Sequence, residues 1–186
     1  MKKFGIIGII IVLGILLFVL SPKKQKAEER RNVPEHILSM TITSPSFKNN
    51  EMIPKQFTCD GNNANPELDI ADVPQNAKSL ALIMHDPDAP MTGGFTHWVV
   101  WNIGPKTTDI KQESVPPGAS EGINSRNAGY TGPCPPSGTH RYFFKLYALD
   151  TMLALSASTT KDDLESAMQG HTLAEAELIG LYSRNH

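Results

Sequence analysis

The chain has 186 residues, with 17 Lys/Arg against 19 Asp/Glu and 40% hydrophobic residues. Residues 1–37 hold seven Lys/Arg and three Glu, which leaves 10 basic and 16 acidic residues, about −6, over 38–186. That balance excludes a chain too polar to fold and gives no basic footprint for nucleic acid; the 149 residues after position 37 suffice for one core and one domain.

Phe4 to Leu20 is an unbroken apolar run of 17 residues, preceded by Lys2 and Lys3. It is long enough, at the short end, for a membrane-spanning helix. A cleaved signal peptide is the alternative. Val19-Leu20-Ser21-Pro22 is a poor small-residue cleavage site, and no Cys follows to carry a lipid, so an uncleaved signal-anchor over 1–20 is expected. Lys23, Lys24, Lys26, Arg30 and Arg31 outnumber the positive groups before the run, so a bare positive-inside count favours a cytoplasmic domain. The very short N-terminal tail favours the opposite, secretory orientation, and an extracytoplasmic domain on a single-pass anchor in the cell membrane is expected. Residues 21–37 are charged, contain Pro22 and Pro34 and have no apolar period, so they read as a stalk before a domain at 38–186.

Met40 to Thr43 alternates weakly, as a first strand would. Asn62 to Pro66 is turn-like. Ser79 to Asp86 is apolar on both faces, which predicts a central, buried strand. Thr96 to Ile103 is similar, with Val99 and Trp101 on the face of His97 by strict alternation. His140 to Leu149 puts Tyr142, Phe144, Leu146 and Ala148 on the face of His140. Thr160 to Gln169 reads as a helix: Thr160 caps it, Asp163 completes a capping box and Gly170 ends it. Leu173 to Tyr182 is ambiguous, since its Ala, Glu and Leu favour helix while its alternation fits a strand.

The chemistry-bearing residues cluster where these strands begin and end. Asp86-Pro87-Asp88-Ala89-Pro90 closes a buried strand, and its prolines drive the chain out of the sheet. Asp86 and Asp88 share a face in extended chain. Taken alone they read equally well as loop caps or as the floor of a polar pocket. His97 opens His97-Trp98-Val99-Val100-Trp101-Asn102, and His140 opens the next long strand. A third segment, Gly129 to Tyr142, contains Gly132-Pro133-Cys134-Pro135-Pro136.

These three motifs in order, with Thr58-Cys59-Asp60-Gly61 and His171-Thr172-Leu173-Ala174, resemble the phosphatidylethanolamine-binding protein family, also called Raf kinase inhibitor-like, in its bacterial and archaeal branch. The resemblance spans roughly Met40 to Arg184. It implies a mainly β fold, an antiparallel β-sandwich with a small helical component, here preceded by one N-terminal transmembrane helix. It implies a strand rather than a helix over Leu173–Tyr182. It matches Asp86, Asp88, His97, His140 and Tyr142 to the family's anion pocket, with Gly132, Pro133, Pro135 and Pro136 as its rim. It brings the loops of Cys59 and Cys134 near that pocket, where an oxidising compartment allows a disulfide, two free thiols being the alternative. It also favours a cis peptide at Ala89–Pro90. The family often has Asp where this chain has His85, whose side chain alternation turns away from Asp86.

Two carboxylates repel an anion unless a proton is shared or nearby imidazoles are charged, so the expected attraction comes from charged His, from Tyr hydroxyls and from backbone N–H groups of the Gly loop. Other chemistries fit less well. Gly118-Ala119-Ser120-Glu121-Gly122 spells G-x-S-x-G but lacks the strand before and the helix after that a nucleophile elbow needs. No two His stand at helix spacing for a metal, and no cofactor fingerprint is present. The leading reading is a membrane-tethered, non-enzymatic module for a small anion or phospholipid head group. An extracytoplasmic serine protease inhibitor and a hydrolase using the Asp/His cluster are the alternatives.

Overall fold

The computed structural model describes residues 39–184. The expected membrane helix and the stalk lie outside these residues. Among the described residues no helix is long and apolar enough to cross a membrane.

Among the described residues nine strands, one α-helix and a 3₁₀ turn build the domain: β1 (Thr41–Thr43), β2 (Glu51–Met52), the 3₁₀ turn Lys55–Phe57, β3 (Leu68–Ala71), β4 (Ser79–Asp86), β5 (Phe95–Ile103), β6 (Asp109–Ile110), β7 (Ser120–Glu121), β8 (Thr139–Leu149), α1 (Lys161–Met168) and β9 (Thr172–Ser183). They form a three-stranded sheet, β1-β3-β6, and a six-stranded sheet, β2-β9-β8-β4-β5-β7. Every pairing is antiparallel except β2 with β9, which is parallel. The described residues are therefore mainly β with one small helix, as the resemblance implied.

Burial on two sides explains the apolar strands. Leu80, Leu82 and Met84 of β4 meet Ile42, Leu68 and Ile70 of the small sheet in the main core. Ala81 and Ile83, on the reverse face, pack with Val99 and Trp101 against Leu164 and Met168 of α1. Lacking a wet face, β4 shows no alternation of apolar with polar residues. The helix is capped as read: Thr160 and Asp163 exchange side-chain and backbone hydrogen bonds, and Gly170 takes a φ of 77° just beyond it. The alternating register wins over helix propensity in β9 because eleven of its residues pair with β8. Ser120 lies on the short edge strand β7, opposite Trp101, and not on a strand-to-helix elbow.

Two sequence expectations need correction. No peptide bond among the described residues is cis, Ala89–Pro90 included. The chain reverses instead over eight residues between β4 and β5, with Gly93 and Gly94 at φ 81° and 73° supplying the left-handed turn; so long a reversal needs no cis bond. Strict alternation also fails in β5. Its register with β4 runs from Trp98 opposite Met84 to Thr96 opposite His85, which leaves His97 as the extra residue of a β-bulge. A bulge re-aims the side chain it carries. The His97 ring therefore packs edge-on to Tyr142, 5.1 Å between centroids, on the face opposite Val99 and Trp101.

Candidate functional site

Strands β8, β4 and β5 lie side by side, and their ends at one edge deliver His140, Asp86 and His97. His85 pairs with Phe143, so Asp86 falls beside Tyr142 and within reach of His140, two residues further along the same face. The loops after β4 and before β8 close the flanks. Between them lies a cavity of about 250 Å³ lined by Asp86, His97 and His140, by Gly132, Pro135 and Pro136 of the rim, and by Cys134.

Asp86 is 3% exposed, and both of its oxygens are engaged. Oδ2 accepts from His140 Nδ1 at 2.7 Å and Oδ1 accepts from the Asp88 amide at 2.8 Å. The carboxylate thus fixes the imidazole with Nδ1–H towards itself, which leaves Nε2 as the ring's free nitrogen. It also holds the start of the Pro87–Pro90 loop. His97 is tied differently. Its Nδ1 lies 2.6 Å from the Thr131 carbonyl, which only accepts, so Nδ1 carries the proton. Burial, only partly offset by that bond, pulls His97 down to about 4. The ring is neutral at physiological pH, and its Nε2 offers an acceptor. The expectation of charged His in the site is therefore corrected for His97: a buried ring packed against Phe95 and Tyr142 and bonded to the Thr131 carbonyl has too little water to carry charge readily.

The remaining predicted residues stand apart from the cavity lining. Asp88 turns outward to Arg141, accepting from its backbone amide at 3.0 Å, Nε at 2.9 Å and Nη2 at 2.7 Å. Those bonds hold its carboxyl down at about 2. Alternation put it on the face of Asp86, but the chain has left the sheet at Pro87 and alternation no longer applies. Tyr142 lies beneath the cavity, fully buried, with its hydroxyl unpartnered; the main chain of Cys134 approaches without reaching bonding geometry. Burial, then the charge of Asp86, pushes that phenol far above its ordinary range. Pro133 sits behind the rim, its carbonyl accepting from the Cys59 amide at 3.1 Å. His85 turns away from Asp86 towards the Gly94 backbone, as alternation required.

The rim is locked to the segment 57–63. Cys59 and Cys134 are disulfide-bonded, with Cα atoms 5.4 Å apart. The Gly132 amide donates to Asn63 Oδ1 at 2.7 Å, and the Tyr130 hydroxyl donates to the Phe57 carbonyl at 2.8 Å. Gly132 is required by close approach: a Cβ there would stand 2.6 Å from the Phe57 carbonyl oxygen.

Sequence reading missed six lining residues: Ala89, Pro90 and Thr131, which lie within the motifs, and Met91, Phe95 and Arg126, which lie outside them. Arg126 belongs to a loop with no motif of its own. The available signal was Asn124, whose Oδ1 accepts from the amides of Arg126 and Asn127, two and three residues on, at 2.7 and 2.9 Å. Such an Asx arrangement marks a built loop.

Fold and site together define a β-sandwich ligand-binding module with one small, partly polar cavity at the strand ends. The sequence profile described as Phosphatidylethanolamine-binding protein matches residues 43–183, and the chain belongs to that family. A UPF0098 protein of Methanothermobacter thermautotrophicus is 50% identical over 151 residues, which cover 78% of this chain and 99% of the relative. A UPF0098 protein of Aquifex aeolicus is 47% identical over 154 residues, 78% of this chain and 90% of the relative. Among solved structures, a phosphatidylethanolamine-binding protein homologue from Chlamydia trachomatis is similar at TM-score 0.76 and 40% identity, over 80% of this chain and 99% of that one. E. coli YbcL, described as a new member of the mammalian PEBP family, is similar at TM-score 0.75 and 30% identity, over 79% of this chain and 99% of that one.

Proposed function

We propose that the domain binds, without turning over, a small anion of the phosphate or phospholipid head-group class, and that residues 4–20 tether it to the outer face of the cell membrane. The observation that carries the reading is the Asp86–His140 pair at the cavity floor, whose carboxylate orients an imidazole with its second nitrogen free. In its protonated state that ring is a charged donor whose charge is countered by Asp86, so an anion meets a fixed donor without facing a bare carboxylate. The Gly132–Pro136 rim walls the pocket, and its disulfide suits an oxidising compartment.

Among the described residues His140 and His97 are hydrogen-bonded through Nδ1 to a carboxylate and to a carbonyl. The profile match to a family described by the binding of phosphatidylethanolamine favours the same reading. No feature of the domain specifically favours protease inhibition.

Isothermal titration of the detergent-solubilised chain with phosphoethanolamine and inorganic phosphate tests the binding. Saturable binding lost in His140→Ala is the expected result. Release of phosphate from phosphoethanolamine would move the assignment to a hydrolase. The tether is tested by fractionating cells and adding protease to intact ones: the chain should stay with membranes after a high-salt wash, and the domain should be cleaved from outside.

A further inference from the structure

The neutrality of His97 leaves a question of charge. Asp86 brings one negative charge to the cavity, and a bound phosphate brings more. His140 is the one ring paired with Asp86 and at best cancels it. A cation is needed, and Arg126 is the Lys/Arg side chain that lines the cavity.

Arg126 is set up to serve. Among the described residues its guanidinium makes no ion pair, whereas Arg141 is bound to Asp88 and Arg184 to Asp60. It is exposed, and its Cζ sits 5.8 Å from the centroid of Phe95, whose ring in turn packs at a tilt against His97, 4.6 Å between centroids. An arginine resting on an arene keeps its N–H fork free for an oxyanion. The loop beneath it is built rather than loose. Asn124 Nδ2 donates to Asn127 Oδ1, the Gly129 carbonyl and Thr131 Oγ1 at 3.0, 2.7 and 2.9 Å. Ser125 and Thr96 exchange two hydrogen bonds, at 2.9 and 3.0 Å, which ties the loop to β5 one residue before His97.

We infer that Arg126 is the specificity-determining residue of this cavity, selecting a phosphate monoester dianion over a diester monoanion of the same size. The inference rests on the anion-binding reading above and deepens it. A monoester presents three non-bridging oxygens, enough for the inner His140 donor and the outer guanidinium fork together. A diester presents two and carries a single charge. The shared chemistry is the terminal phosphate, whether from a free metabolite or from a lipid-derived head group freed of its acyl chains; an intact phospholipid is a diester and is disfavoured.

The test is a titration at pH 7.5, where a monoester is largely doubly charged, in low-salt buffer free of phosphate and sulfate. The full chain in nonionic detergent is titrated with methyl phosphate and with dimethyl phosphate. Wild type should prefer the monoester by about tenfold or more. Arg126→Gln should weaken the monoester by about ten- to a hundredfold, the range for losing a charge-assisted contact, and should compress the preference. Arg126→Lys should restore part of both, since it keeps the charge and loses the fork. Binding of methyl phosphate that falls in His140→Ala but is unmoved in Arg126→Gln overturns the inference and leaves the anion reading standing. Equal affinity of wild type for the two probes does the same. Failure of methyl phosphate, inorganic phosphate and phosphoethanolamine to bind wild type overturns both. Phosphoethanolamine and an acyl-chain-bearing phosphatidylethanolamine micelle, run alongside, separate the free head group from the lipid.

Discussion

The Cys59–Cys134 bridge closes a loop of 75 residues that contains the five strands β3 to β7. Replacing both cysteines by serine frees the unfolded chain while leaving the folded contacts largely in place. Three hydrogen bonds already join the same two segments: Cys59 amide to Pro133 carbonyl, Gly132 amide to Asn63, and Tyr130 hydroxyl to the Phe57 carbonyl. The chain-entropy relation for such a loop gives about 4 kcal/mol at 25 °C. For a domain of roughly 150 residues that is a fall in melting temperature of about 12 °C. The assay is thermal unfolding of oxidised wild type and the double variant, paired with phosphoethanolamine titration of both. Melting should drop by about that amount while affinity stays within about threefold. A small melting change with a large loss of affinity would refute the reasoning, because the bridge would then be shaping the native rim and not restraining the unfolded chain.

Three further outcomes follow from the site. His97 is depressed from 6.5 in the unfolded chain to about 4 in the fold, so the unfolded state takes up the proton first; its contribution is whole above pH 6.5 and is lost as pH falls towards 4, on the order of 3 kcal/mol in all, and urea titrations should show that excess slope in wild type and not in His97→Gln. Asp88→Asn should cost only about 0.5–1 kcal/mol, since its pair with Arg141 is half in solvent, and should leave ligand affinity within about twofold; a tenfold loss would return Asp88 to the pocket. Gly132→Ala should cost about 1–3 kcal/mol by overpacking against the Phe57 main chain, and crosspeaks of Thr131 and Asn63 in an amide correlation spectrum should shift more than those of α1; an unshifted, fully stable variant would mean the close approach is relaxed in solution.

Regular pattern carried the fold. Two-faced apolar runs gave β4 and β5, the capping box gave α1, and the resemblance decided β9 where propensity pointed to helix. The resemblance, carried by motifs at strand ends and in a Pro/Gly loop, assigned Asp86, His97, His140 and the rim residues Gly132, Pro135 and Pro136 to one pocket, and they line one cavity. What stayed hidden lies where regularity breaks. One extra residue in β5 turns His97 across the sheet, and a bulge has no sequence signature as strong as the alternation it interrupts. Asp88 follows a proline that ends the strand, so its direction was set by Arg141, a residue 53 positions away.

The charge of the site was hidden for a related reason. Residue type alone makes two imidazoles look like two latent cations, but the state of each depends on what its second neighbour is and how much water reaches it. His140 faces a carboxylate and His97 faces a carbonyl behind two aromatic rings, a difference created by β4–β8 and β5–loop contacts distant in sequence. With His97 neutral, the proposed attraction for an anion falls to His140 and to a residue outside the three motifs. Arg126 sits in a loop whose sequence, Asn124-Ser125-Arg126-Asn127, advertises a turn and nothing more. Its placement over Phe95 depends on the Asn124 hub and on the exchange between Ser125 and Thr96. A related chain could therefore keep every motif residue and still differ in ligand preference by changing this loop. On the proposed reading, the floor residues set what kind of group the cavity accepts, and the loop sets how much charge that group must bring.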